Sequence, residues 1–165
     1  MSVDVVDTNV LSVANARDTH ASPLCVITCV NKLEAIRDGG RLAIDDSRRI
    51  VREYQANASS SGQPGPGDAF LKWILQNLWN DQHCEMVPIT PRAGTDDNFE
   101  EFPDDPDLAG FDRSDRKFVA VALAHPDRPP ILNATDTDWH NFDAPLARHG
   151  IRVTFLCPDM MPLTS

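Results

Sequence analysis

Val3 to Val6 is a β-branched run ending at Asp7, and it predicts a first strand with a carboxylate at its C-terminal end. A short helix follows over Asn9 to Ala14. Pro23 opens a longer helix to Asp38, with Leu24, Ile27, Leu33 and Ile36 at helical spacing, and Gly39-Gly40 closes it. Arg41 to Ile44 predicts a second strand that runs into Asp45-Asp46. Ser47 is placed to cap a helix through Gln55 whose Ile50, Val51 and Tyr54 share one face. Residues 57–67 are rich in Ser, Gly and Pro and predict a loop. Asp68 is placed to cap an apolar helix carrying Phe70, Leu71, Trp73, Ile74, Leu75, Leu78 and Trp79. Met86 to Ile89 predicts a further strand, and 90–110 a long acidic loop of a kind uncommon inside compact domains. The clearest helical pattern is Asp112 to Ala124, with Ser114 as its cap. Ile131 to Asn133 is a short buried strand leading to Asp136. A helix over Trp139 to Arg148 and a strand over Ile151 to Phe155 complete the chain. Strands alternating with helices predict an α/β fold: a three-layer sandwich around a central, mainly parallel sheet, in one domain over 1–165.

Composition narrows the function classes. Hydrophobic residues make up 41% of the 165 and charged residues 24%, which excludes a wholly disordered or fibrous chain. No apolar run reaches the roughly 18 residues of a membrane span. An acid stands near the N-terminus where an export signal carries bases, so a cytoplasmic setting is expected. The net charge of −10 argues against a broad basic nucleic-acid surface. Seven of the acids fall between Asp96 and Asp107 with no base among them; without them the balance is 18 acids against 15 bases. That segment is expected to repel RNA, occupy a basic partner or act as a gate. Cys25, Cys29, Cys84 and Cys157 form no Cys-x-x-Cys pair and read as buried thiols. His20, His83, His125, His140 and His149 show no paired spacing and read as surface or helix-end residues, His140 alone being near a candidate acid.

The acids carry information by position. Asp7 ends the first strand, Glu53 lies on the helix after the second, Asp112 and Asp115 begin a helix, and Asp136 and Asp138 follow the Ile131 strand. In a parallel sheet these places share one edge, the edge where open α/β sheets bind ligands. Carboxylates gathered there repel one another unless a cation neutralises them, and oxygen donors of this kind suit Mg²⁺ or Mn²⁺. Each acid taken singly also has a plain role as a helix cap or turn residue. Asp45 and Asp46 compete with Glu53 for the second place, and Asp138 with Asp136 for the last.

Four segments, in order, resemble the PIN-domain nucleases: Val5-Val-Asp-Thr-Asn-Val-Leu11; Ile44 to Tyr54, ending Arg52-Glu-Tyr54; Asp112-Arg-Ser-Asp-Arg-Lys-Phe-Val-Ala-Val-Ala-Leu-Ala124; and Ile131-Leu-Asn-Ala-Thr-Asp-Thr-Asp-Trp139. The resemblance spans almost the whole chain. It implies metal-dependent endoribonuclease activity, often as the toxin of a toxin–antitoxin pair, with an antitoxin or other protein partner and a homodimer. It also implies that Asp7, Glu53, Asp115 and Asp136 are the catalytic acids and metal ligands, supported by Asp112 and Asp138. Asn9 and Thr8 are expected to hold the turn after Asp7 by hydrogen bonding. Arg113, Arg116 and Lys117, and on the other helix Arg48, Arg49 and Arg52, are expected to steer RNA, the alternative being a solvated helix face. The Trp73 and Trp79 helix offers an apolar surface for a dimer unless it is buried.

Two other classes remain open. One is a non-catalytic interaction module on the same fold. The other is a haloacid-type phosphatase, suggested by Asp136-Thr-Asp138, although its Asp-x-Asp signature belongs after the first strand, where the chain reads Asp7-Thr-Asn9.

Overall fold

The computed structural model describes residues 2–18 and 20–163. Strand β1 (Val3–Val6) leads into helix α1 (Thr8–Ala14), then α2 (Pro23–Gly39) and β2 (Arg41–Asp45). Helices α3 (Arg49–Asn57) and α4 (Pro66–Gln76) precede β3 (Cys84–Val87). The acidic segment follows, then α5 (Arg116–Ala124), β4 (Ile131–Asn133), α6 (Thr137–Asn141), α7 (Asp143–Arg148) and β5 (Val153–Phe155). The five strands form one parallel sheet in the order β3-β2-β1-β4-β5, flanked by helices. The predicted α/β fold with a parallel sheet is therefore present.

Topology locates the site. From β1 the chain steps one way to β2 and β3, then crosses back to β4 and steps the other way to β5. Right-handed crossovers put α1 to α4 on one face and α5 to α7 on the other. The reversal falls between β1 and β4, and the C-terminal ends of the strands at such a reversal are where open α/β sheets bind their ligands. Asp7 is the residue after β1, and Asp136 lies three residues after β4. The sheet itself is dry: Val5, Val6, Leu42, Ala43, Ile44 and Ile131 are fully buried.

Several boundaries move for identifiable reasons. Helix α3 is capped not by Ser47 but by Asp45, whose carboxylate accepts the Arg49 and Ile50 N–H groups at 2.9 Å. That contact makes Asp45 a fully buried structural acid rather than a site residue. Helix α4 starts at Pro66, two residues before Asp68. Asp68 reaches back to the Gly65 and Ser59 N–H groups, and Asn15 caps the helix from α1 by accepting the Gly67 and Asp68 N–H groups. A Cβ on Gly67 would stand 2.3 Å from the Leu11 carbonyl oxygen, so only glycine permits this approach of α4 to α1. The helix expected over Trp139–Arg148 is two helices broken at Phe142, because Pro145 has no N–H to continue the ladder. The Asp112–Ala124 segment begins as a single 3₁₀ turn capped by Asp112, not Ser114.

The cysteine expectation is overturned in part. Cys25 and Cys157, 132 residues apart, form a disulfide between α2 and the segment after β5; Cys29 and Cys84 are buried free thiols. His125 is a helix-end residue, the C-cap of α5, and is buried there, with its Nε2 against Glu85 and its Nδ1 accepting the Asp127 N–H at 3.0 Å. Trp73 packs against the core and stacks on Phe70, whereas Trp79, beyond the helix end, is 80% exposed. Among the described residues no helix is long and apolar enough to cross a membrane. Replacing Cys25 by Ser is expected to destabilise the oxidised protein by about 2–4 kcal/mol, read as a lower midpoint in urea, with a steeper slope because the unfolded chain without the cross-link exposes more surface.

Candidate metal centre

Asp7 is placed by backbone geometry. It is the N-cap of α1, its Oδ1 accepting the Asn9 N–H at 3.0 Å. Its Oδ2 accepts the Trp139 indole N–H at 2.6 Å. Trp139 is fully buried and stacks edge-on against Phe111. Asp115 comes from the opposite face, at the junction between the 3₁₀ turn and α5. It is buried, yet its carboxylate caps nothing. Asp136 is the N-cap of α6, accepting the Asp138 N–H at 2.9 Å. One carboxylate oxygen from each of Asp7, Asp115 and Asp136 lies within 4.8 Å of the other two.

A pair of amides joins the two halves of this arrangement. Asn9 Nδ2 donates to Asn133 Oδ1 at 2.9 Å, and Asn9 Oδ1 accepts the Ala134 N–H at 2.8 Å. Asn133 Nδ2 donates to the Asp136 carbonyl at 2.9 Å, and its Oδ1 also accepts the Asp136 N–H. Asn9 therefore does more than hold its own turn: it ties the end of β1 to the end of β4. Asn133 and Trp139 are the functional residues that sequence reasoning missed. A fully buried amide ending a strand of Ile and Leu was the available signal for the first.

Glu53 stands apart from the three aspartates. One of its oxygens accepts the Thr8 hydroxyl and the other accepts Lys117 Nζ at 2.8 Å. Thr8 thus serves Glu53, not the turn after Asp7. Asp112 is exposed and spends its carboxylate on the Ser114 N–H and hydroxyl; Asp138 accepts the Asp112 N–H at 3.2 Å. Neither joins the cluster. Asp46 is exposed, beside the Ile89 N–H.

The expected RNA-steering cations divide. Lys117 is largely buried on Glu53 and the Ser114 carbonyl, so its charge is already paired. Arg116 is buried too, donating to the Ala109 and Phe111 carbonyls and lying over the Phe102 ring at 4.5 Å; its role is to fasten the acidic segment. Arg49, Arg52, Arg113 and Lys117 line an open cleft of about 310 Å³ together with Glu53, Ser114, Asp96, Asp97 and Phe99, and Arg49 lies over the Phe99 ring. Arg113 pairs there with Asp97 at 3.1 Å. The acidic segment is itself packed, with Phe99, Phe102 and Leu108 buried and Asp105 and Asp107 bound by Arg148.

Burial and nearby negative charge raise Asp7 and Asp115. Asp7 is pushed up to about 7, chiefly by burial, with the charges of Asp136 and Glu53 adding and the Asn9 and Trp139 N–H groups opposing. Asp115 is pushed up to about 9, again chiefly by burial, then by Asp7, Asp136, Asp112 and Glu53. Comparison of the chain with protein-family models, curated proteins and solved structures gives no match. The chemistry must be read from the geometry.

That geometry fits a hard divalent ion. Neighbouring ligands of octahedral Mg²⁺, each about 2.1 Å from the ion, stand about 3 Å apart, inside the 4.8 Å that bounds the three oxygens. Asp115, buried with no hydrogen-bond duty at its helix start, is the member whose position a cation best explains. In the metal-free protein the sign of the pH effect follows directly. Acids raised above their unfolded value of 3.8 stabilise the fold below pH 4, and that stabilisation is lost as pH climbs through about 7 and 9. In chelator, the melting temperature is expected to fall from pH 5 to pH 9, and Asp115→Asn to raise it by roughly 3–6 °C at pH 9.

Proposed function

We propose that this protein is a metal-dependent endoribonuclease whose centre is Asp7, Asp115 and Asp136. The observation that carries the reading is the convergence of these three carboxylates, from three separate segments, beyond the strand ends where the sheet reverses direction. Mg²⁺ or Mn²⁺ bound there supplies Lewis acidity, lowering the pKa of a water and offsetting charge on the departing oxygen of a phosphodiester.

The protein's own part is to hold the acids and present the strand. Trp139 and the Asn9 N–H fix both oxygens of Asp7. The Asn9–Asn133 pair sets the spacing of Asp7 and Asp136. The cleft lined by Arg49, Arg52 and Arg113 is open and polar, as a phosphodiester backbone requires, and it lies beside Glu53. The resemblance to PIN-domain nucleases points the same way and extends the reading to RNA, to an antitoxin or other protein partner and to a homodimer.

A second reading has one observation in its favour. Glu53, an expected ligand, is wholly taken up by Thr8 and Lys117, as in a non-catalytic module with a weakened site. The two readings part on a single substitution. Asp7→Asn is expected to lower Mn²⁺-dependent cleavage of single-stranded RNA at least 100-fold with an unchanged far-UV circular dichroism spectrum. Cleavage by the folded variant at the wild-type rate, or none by the wild type, defeats the nuclease reading.

A further inference from the structure

Lys117 has a consequence for how many ions this centre holds. Its ammonium group sits on Glu53 Oε1 at 2.8 Å and on the Ser114 carbonyl, with the residue 9% exposed. The other Glu53 oxygen carries the Thr8 hydroxyl. Both oxygens of that carboxylate are therefore occupied by donors of the chain itself. A lysine is seldom this buried unless paired, and here its partner is Glu53, an acid beside the cluster and not part of it.

We infer that Lys117 is the built-in second cation of the site, so that the chain binds one divalent ion at Asp7, Asp115 and Asp136 and keeps Glu53 out of its coordination. Charge decides the number. The three aspartates carry −3 when ionised and one divalent ion leaves −1, whereas two ions on the same three acids leave an excess of positive charge. Two ions need Glu53 as well, and Lys117 already neutralises it. The ion site does not rest on acid clustering alone, because the buried Asp115 carboxylate caps nothing and its oxygen is aimed at those of Asp7 and Asp136. The inference rests on the metal centre proposed above and adds the stoichiometry and the residue that sets it.

The test counts Mn²⁺ without any cleavage assay, by calorimetry and by electron paramagnetic resonance of the unbound ion at pH 8. Wild type is expected to bind one Mn²⁺ per chain. Lys117→Met frees Glu53 and is expected to bind two. The paired variant Lys117→Met with Glu53→Gln removes both charges and is expected to return to one ion, with an affinity within about threefold of wild type. It also serves where Lys117→Met alone, with an unpaired Glu53, fails to fold. Two ions per wild-type chain, one unchanged ion in folded Lys117→Met, or loss of binding in the paired variant would overturn the role of Lys117 while leaving the metal centre standing. No Mn²⁺ bound by any of the three proteins overturns the metal centre itself, and this inference with it.

Discussion

Three carboxylates held within 4.8 Å of one another, two of them buried, are the constraint to which the rest of this structure answers. Two like charges at that separation repel by about 3 kcal/mol even at an effective dielectric of about 20. A domain of this size has only about 5–15 kcal/mol of stability. The arrangement therefore persists only because the surrounding structure over-determines it. Asp7 is fixed by two N–H donors, and α3 is tied to the end of β1 by the Tyr54 hydroxyl, which donates to the Val6 carbonyl at 2.5 Å. The fully buried Phe118, Val119 and Val121 of α5 hold Asp115 from the other face. Partial protonation of Asp7 and Asp115 relieves the remainder when no cation is bound.

The acidity of the chain takes on a different meaning once the segment between β3 and α5 is seen folded. Asp97 answers Arg113; Asp105 answers Arg148 and His149; Asp107 answers Arg148. The bond from His149 is the first reason that Asp105 is held well below the usual carboxylate range. Arg92 adds hydrogen bonds to the Phe99 and Phe102 carbonyls. The segment is thus a wall fastened by arginines and by buried aromatics, not a solvated negative tail. Asp96 and Asp97 of that segment line the cleft together with Arg49 and Arg52. Local charge at the cleft is mixed, and the overall −10 does not describe it.

What was legible in the sequence is what depends on near neighbours. The β-branched run before Asp7, the Pro23 start and Gly39-Gly40 end of α2, and the apolar run of α5 each fix an element through local sterics and burial. From the alternation of elements the parallel sheet followed, and from the sheet the edge on which Asp7, Asp115 and Asp136 meet. The illegible part is made of contacts between distant residues of ordinary type. Asn9 and Asn133 are 124 positions apart, Lys117 and Glu53 are 64 apart, and Cys25 and Cys157 are 132 apart. Nothing local distinguishes Lys117, buried on an acid, from Arg52, exposed in the cleft. Glu53 shows the same division: its position on α3 was readable, its engagement by Thr8 and Lys117 was not.

The chemical type of each contact at the centre is informative in itself. Every donor that touches the triad is neutral: an indole N–H on Asp7, and main-chain N–H groups on Asp7 and Asp136. The groups that set their spacing are amides, which bring two donors and one acceptor and no net charge. An arginine or lysine in any of these places would hold the acids more strongly, and it would also cancel the negative charge that attracts a divalent ion. The one buried ammonium nearby is directed at Glu53 instead, and Arg116 is turned away onto carbonyls of the preceding segment. A site built only to be stable would have neutralised Asp7, Asp115 and Asp136 with the cations already within two residues of Asp115. The fold spends those cations elsewhere, and among the described residues the three aspartates are left without a cationic partner, as the proposed ion site requires.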